Sequence, residues 1–453
     1  MEELLKGLND GTVQVLGITG SGPVILSIIK ALLMVLTLFQ LVPGMIWFER
    51  RLLSWMQDRI GPNRTGTITF NDAFPIPGLR GKRLRTFGLI QLMADGVKAF
   101  LKEDIVPTKV DRIIYFLAPV LALFPAFCLC GTLPFAPNAG IYKYITPIAD
   151  VDFGILYILA VSSLASYGVV LAGYSSNNKY SLMGGLRASA QLISYELGMG
   201  MAAASIVLAS GSMRLTEIVH AQEGQLWGFV PAVQNWFIFT PFGFVSAVIF
   251  LICMLAETNR APFDLAEAEN ELIAGYMTEY GSKKFVLFSM GEYVAMFTFS
   301  GVFATLFLGG YNLMPFRWEE LAHMLPAGAG LFKAMAGLNY WLAPLGFLAK
   351  GSAGIMFFIW ARATLPRLRY DQLMKLGWQT LLPVGVANLV VVCIWIMATG
   401  SFGAFGGWGS LMIATVILVV LWLNIANATK TTVSESERRK VKMVDPSAPV
   451  VKG

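Results

Sequence analysis

Stretches of about 20 apolar residues recur along this chain, and no other feature limits its fold so strongly. A helix rises about 1.5 Å per residue, so about 20 such residues cross the hydrocarbon core of a bilayer and satisfy every backbone hydrogen bond within the segment. Candidate spans cover residues 24–48, 113–135, 153–173, 186–209, 236–256, 285–308, 342–361, 381–398 and 411–425. The pattern predicts an all-α polytopic membrane bundle of about nine transmembrane helices. Composition agrees: of 453 residues, 56% are hydrophobic and 14% charged, well below the roughly 25% charged usage of soluble domains. A bundle grows by adding spans, so residues 23–428 read as one membrane domain, preceded by segment 1–22 and followed by a polar, flexible tail at 429–453.

The formal charge of +6 comes from clusters between apolar runs and not from one polar stripe, which points to topology and not to nucleic acid. One set of connections carries Arg50, Arg51, Arg59, Arg64, Arg80, Lys82, Arg83 and Arg85, then Lys179, Arg260, Arg362, Arg367, Arg369 and Lys375, with Arg438, Arg439 and Lys440 in the tail. The opposite set holds only Lys143, Arg214, Arg317 and Lys333. The basic side is therefore expected to be cytoplasmic, with loops at 49–112, 174–186, 257–284 and 362–380, the amino terminus outside and the carboxyl terminus inside. No basic region leads into the first apolar stretch, so no cleaved signal is expected. Segment 86–102 sets Phe87, Ile90, Val97 and Leu101 against Gln91, Asp95, Lys98 and Lys102 at helical spacing, which predicts an amphipathic helix on the cytoplasmic lipid surface.

Redox chemistry is not visible in the residue types. Cys128, Cys130, Cys253 and Cys393 lie in apolar runs without metal-site spacing, and the two histidines, His220 and His323, fall in connections. That spacing offers no zinc site, iron–sulfur cluster or haem axial pair. No Gly-x-Gly-x-x-Gly turn follows a predicted strand, so neither NADH nor flavin is expected to bind here.

The chemistry-bearing residues are acids in unusual places. Stretch 256–272 holds Glu257, Asp264, Glu267, Glu269 and Glu271 with a single arginine, Arg260. Helical spacing would gather Asp264, Glu267 and Glu271 on one face, where repulsion makes proton uptake easier. A solvated acidic loop would look similar, but these acids sit on the side that is otherwise basic, and Glu257 closes an apolar run. Glu196 and Glu292 lie inside spans, where a charge costs about 2.5–3.5 kcal/mol and normally faces a bundle interior or a water path. Lys350, in the seventh span, is a cation able to pair with one of them. Basic motifs complete the set: Glu49-Arg50-Arg51 at the end of the first span, Arg59 and the turn Gly61-Pro62-Asn63-Arg64-Thr65-Gly66, and 362–371 with Arg362 and Arg367 on either side of Pro366.

Taken in order, these motifs, with Tyr174-Ser175-Ser176-Asn177-Asn178-Lys179-Tyr180, Arg187-Ala188-Ser189-Ala190-Gln191 and Ser194-Tyr195-Glu196, resemble the signatures of the NuoH-type, quinone-cavity subunit of proton-pumping NADH:quinone oxidoreductase, respiratory complex I. The resemblance implies a multi-pass subunit of the cell inner membrane that takes quinone as substrate and carries no redox cofactor. It implies partners too: the peripheral redox arm at the cytoplasmic loops, the antiporter-like membrane arm, and lipid. By the same resemblance, Glu49, Arg50, Arg59, Asp95, Lys98, Arg260, Arg362 and Arg367 border the quinone cavity. Glu196, Glu257 and Glu292 belong to a proton path, and Asp264, Glu267, Glu269 and Glu271 to the family's acidic loop. A homologous subunit of an energy-converting hydrogenase, or a stand-alone cation/proton antiporter, would share part of this pattern. Two features are less familiar in that family: the 309–340 connection is long, and the ninth span with its basic tail extends beyond the shortest members.

Overall fold

The computed structural model describes residues 12–15, 18–62, 67–69, 83–85, 88–140, 142, 146–226, 230–264, 275–324, 329–399, 409 and 416. The chain divides into two compact units, Met1–Val386 and Ala387–Gly453, and in the second the described residues are the helical stretch 387–399 with 409 and 416. The helices are α1 (Gly22–Met56), α2 (Leu89–Leu101), α3 (Arg112–Cys130), α4 (Gly154–Ser175), α5 (Lys179–Ser210), α6 (Leu215–Gln222) and α7 (Pro241–Glu257). They continue with α8 (Ser282–Phe307), α9 (Trp318–Met324), α10 (Ala329–Thr364) and α11 (Tyr370–Thr399), whose Leu376–Leu381 turn is π-helical. Three short antiparallel pairs join Thr12–Val15 to Ile18–Ser21, Thr67–Thr69 to Arg83–Arg85, and Gln225–Leu226 to Val230–Gln234.

Among the described residues seven helices are long and apolar enough to cross a membrane, namely α1 from Ser27, α3, α4, α5, α8, α10 from Gly330, and α11, with α7 a shorter apolar helix. Eight of the nine expected spans thus have a helix, and the ninth, 411–425, lies outside the described residues except for residue 416. Boundaries moved where local chemistry overrode hydropathy. Helix α1 runs on to Met56, so Glu49, Arg50 and Arg51 lie within the helix and not at its end, and Glu49 and Arg50 find charged side-chain partners there. Helix α7 starts at Pro241, later than the apolar run, because Thr240 caps it by accepting from the Gly243 N–H at 3.2 Å. Much of the long 309–340 connection is helix: α9, and an α10 that begins well before residue 342.

Apolar side chains such as Leu32, Leu36 and Phe39 on α1 and Phe116 and Phe124 on α3 stay exposed, while the core combines small residues and aromatics with aliphatic side chains. A Cβ on Gly168 of α4 would lie 2.7 Å from the Ala122 backbone nitrogen, so only glycine lets α3 and α4 approach so closely. Tyr115 stacks on Tyr280 with centroids 4.3 Å apart and donates to the Glu279 carbonyl at 2.7 Å. Buried Thr298, Ser300 and Thr305 of α8 return their hydroxyls to carbonyls one turn back, which spares the bundle unpaired polar groups. The expected amphipathic helix is α2. Its Met93, Val97, Phe100 and Leu101 are exposed, while Asp95 turns toward α1.

Candidate functional site

A knot of buried charge forms where α1, α8, α10 and the loop after α7 meet. Glu49 of α1 is 5% exposed. Its Oε1 accepts from Arg362 Nη1 at 2.5 Å, and its Oε2 accepts from the Tyr293 hydroxyl at 2.5 Å. Arg260 stands between Glu49, 3.9 Å from Oε1, and Glu292, 3.4 Å from Oε2, with its guanidinium 4.5 Å from the centre of the Tyr293 ring. The Tyr276 hydroxyl donates to Glu292 Oε1 at 3.5 Å. Two carboxylates thus meet two guanidiniums, the balance that makes burying charge in an apolar bundle tolerable.

Local sequence explains how Arg260 gets there. Asn259 adopts φ 49, a left-handed conformation that Asn tolerates better than most residues. The turn folds the chain back, and the Arg260 N–H donates to the Leu255 carbonyl at 3.3 Å. Gln191, buried in α5, holds the end of α7 by donating to the Ala256 carbonyl at 2.8 Å. Farther along, Asp264 accepts from Arg367 at 2.8 Å, and Pro262 O accepts from the Leu368 N–H at 3.2 Å. These two bonds pin the loop after α7 to the loop after α10.

From Arg50 the charged contacts continue into α2. Asp95 accepts from Arg50 at 2.5 Å and from Gln91, one turn earlier, at 2.8 Å. Partial burial pushes the Asp95 carboxyl up, but the hydrogen bonds from Arg50 and Gln91 and the charges of Arg50 and Lys98 outweigh it and hold the group below the usual carboxylate range.

Glu196 and Glu257 make a second acidic pair, on α5 and α7, close enough to act on each other electrostatically. The helices are tightly apposed there: a Cβ on Gly198 would lie 3.0 Å from Cys253 Sγ, one turn before Glu257. Glu257 Oε2 is buried with no hydrogen-bond partner among the described residues.

Of the residues singled out from sequence, Glu49, Arg260, Glu292 and Arg362 come together, with Arg50, Asp95 and Lys98 beside them and Asp264 and Arg367 on the adjoining loops. Arg59 does not join them: it lies in an exposed turn and donates to Gln57 at 2.7 Å. Lys350 pairs with neither Glu196 nor Glu292; its ammonium is bound by backbone carbonyls at the far end of α8. Glu267, Glu269 and Glu271 lie outside the described residues. Tyr293 and Gln91 were missed as site residues. Each had a signal, Tyr293 in following an intramembrane acid and Gln91 in standing four residues before Asp95 on a helix.

Comparison with known proteins decides the family. The NADH dehydrogenase family model matches residues 29–393, which include every helix of this site. The chain belongs to the NADH dehydrogenase family. It is 41% identical over 388 residues to the H subunit of NADH-quinone oxidoreductase from Streptomyces avermitilis, covering 83% of this chain and 74% of the relative. It is 39% identical over 386 residues to the H 2 subunit of NADH-quinone oxidoreductase from Koribacter versatilis, covering 82% and 97%. With NADH-quinone oxidoreductase subunit 8 of Rhodothermus marinus it shares 43% identity over 351 residues, 77% of this chain and 91% of that one. In this member of the NADH dehydrogenase family, the matched region takes in the buried charge knot and the Glu196–Glu257 pair alike.

Proposed function

We propose that this chain is the membrane subunit of an NADH:quinone oxidoreductase that forms the membrane-side part of the quinone cavity and couples quinone reduction to proton translocation. The observation that carries this reading is Arg260 held between Glu49 and Glu292. A single cation links the acid on α1, next in sequence to Arg50 and its α2 partner Asp95, to an acid on α8, so a charge change on one side is felt on the other. Arg50, Asp95 and Lys98 border the mouth, with Arg59 farther out on its rim, and Arg362 and Arg367 orient the acids or polarise the quinone head group. Glu292, Glu196 and Glu257 carry protons inward, and Asp264, Glu267, Glu269 and Glu271 form the acidic loop that feeds them. Quinone is the substrate, and electrons arrive from partner subunits of a peripheral arm at the cytoplasmic loops, with an antiporter-like arm beside the acid pair. The basic loops face the cytoplasm, the amino terminus lies outside and the carboxyl terminus inside; a tag after Gly453 that reacted only from outside would refute that orientation.

The functional test is the Arg367→Ala variant of the assembled complex. Losing the guanidinium frees Asp264 from its hold and lowers quinone-reductase kcat/KM by roughly tenfold. Electron transfer from NADH to a soluble acceptor stays near normal. Equal loss of both activities in a fully assembled complex would rule out a role confined to quinone.

A further inference from the structure

Lys350 is a partly buried cation in the middle of α10, twelve residues before Arg362 and hence about 18 Å along the helix from the charge knot. Its Nζ donates to the carbonyls of Leu308 at 2.5 Å and Gly310 at 3.0 Å, and to that of Asn312. The ammonium also lies 4.2 Å from the centre of the Trp236 ring. Only the ammonium form has three N–H groups to give to three carbonyls, and the π face adds to the stabilisation of a cation. No carboxylate pairs with it among the described residues.

The cage is built by the turn that follows α8. Gly309 and Gly310 have φ 69 and φ 56, and a Cβ on Gly309 would lie 2.2 Å from Trp236 Nε1, so this turn requires glycine. Gln222 fixes the turn from both sides: it accepts from the Gly309 N–H at 2.9 Å and donates to the Thr305 carbonyl at 2.8 Å. Tyr311 and Asn312 both donate to Glu223, at 3.1 and 3.3 Å. Lys350 thus sits at the end of α8 opposite Lys284 and the charge knot, bound to backbone dipoles that do not cancel its charge.

We propose that Lys350 is a fixed positive barrier that stops protons and other cations from entering the bundle at the end remote from the charge knot. A cation lodged between helices repels like charge where a lipid-shielded interior gives little screening. The barrier keeps the Glu196–Glu257–Glu292 acids in contact with one side of the membrane only, and in this it rests on the proton path proposed above.

The test uses the whole complex in proteoliposomes. Passive proton leak is measured under an imposed potassium diffusion potential without substrate, and quinone reduction with and without uncoupler. Lys350→Met removes charge and donors, Lys350→Gln removes charge but keeps two N–H groups for the carbonyls, and Lys350→Arg keeps the charge. The barrier predicts leak about tenfold faster in both neutral variants, loss of stimulation by uncoupler, near-normal uncoupled quinone reduction, and a tight Arg variant. A tight, assembled Gln variant would overturn it, whether or not quinone reduction fell. Failure of both neutral variants to assemble would overturn it too, by making the charge a structural requirement. The leak needs neither quinone nor turnover, so normal pumping by Glu257→Gln beside a leaky Lys350→Gln would discard the path and keep the barrier.

Discussion

Arg362 donates to Glu49 across 313 positions of sequence, at 2.5 Å, and so ties the end of α10 to the inner turns of α1. Glu49 is the shared acid for two guanidiniums. Glu49→Ala removes the carboxylate that Arg362 holds, while Arg260 keeps Glu292, and breaking a buried pair costs about 3–5 kcal/mol when the remaining charge is fully buried. Arg362 is 41% exposed at its side chain and Arg260 11%, so the cost falls at the low end of that range. Glu49→Ala therefore lowers the amount of assembled subunit in the membrane, and combining Glu49→Gln with Arg362→Gln restores part of it. Assembly on native gels reads the outcome, and a double variant worse than either single one would contradict the pairing.

Glu257 gives the sharpest functional prediction. Its Oε2 is buried without a hydrogen-bond partner among the described residues, and Glu196 is near enough to repel it. Glu257→Gln keeps the shape and removes proton exchange, so coupled quinone reduction and proton uptake in proteoliposomes both fall strongly, while Glu257→Asp retains part. Assembly stays normal, because a neutral amide is less costly to bury than a charge. Full pumping stoichiometry in the assembled Gln variant would leave Glu257 only a structural role.

His220 in the last turn of α6 and Glu223 at its C-cap, 3.1 Å apart, predict a local pH dependence. The hydrogen bond and charge of Glu223 raise the imidazole above its ordinary 6.5, against burial. Burial pushes the Glu223 carboxyl up, but His220, Asn312 and Tyr311 hold it below 4.5. The histidine's contribution is complete below 6.5 and is lost as pH rises through its elevated folded value. The glutamate's contribution is present above 4.5 and is lost as pH falls through its lowered folded value. His220→Gln should therefore loosen this segment most between those limits, and the difference should vanish once the pH is well above the histidine's raised folded value. Amide exchange over residues 215–223, compared between the two proteins at each pH, checks this; a difference that persisted at high pH would mean the ion pair is not its cause.

The sequence by itself determined the class of fold, because apolar runs long enough for a bilayer leave the backbone no alternative to helix. It also marked α2 as an amphipathic helix and singled out the intramembrane acids, since an acid inside a span is rare enough to stand out. Which charges meet was decided by tertiary structure. Glu49 and Arg362 are both legible as residues, but their contact depends on how α1, α8 and α10 pack, and no local period encodes a pairing over that separation. Lys350 shows the same limit: hydropathy marked it as an intramembrane cation to be paired with an acid, whereas the glycine turn after α8 supplies carbonyls to the ammonium first. Tyr293 drew no attention because a tyrosine in an apolar helix is ordinary until a carboxylate and a guanidinium are packed against it.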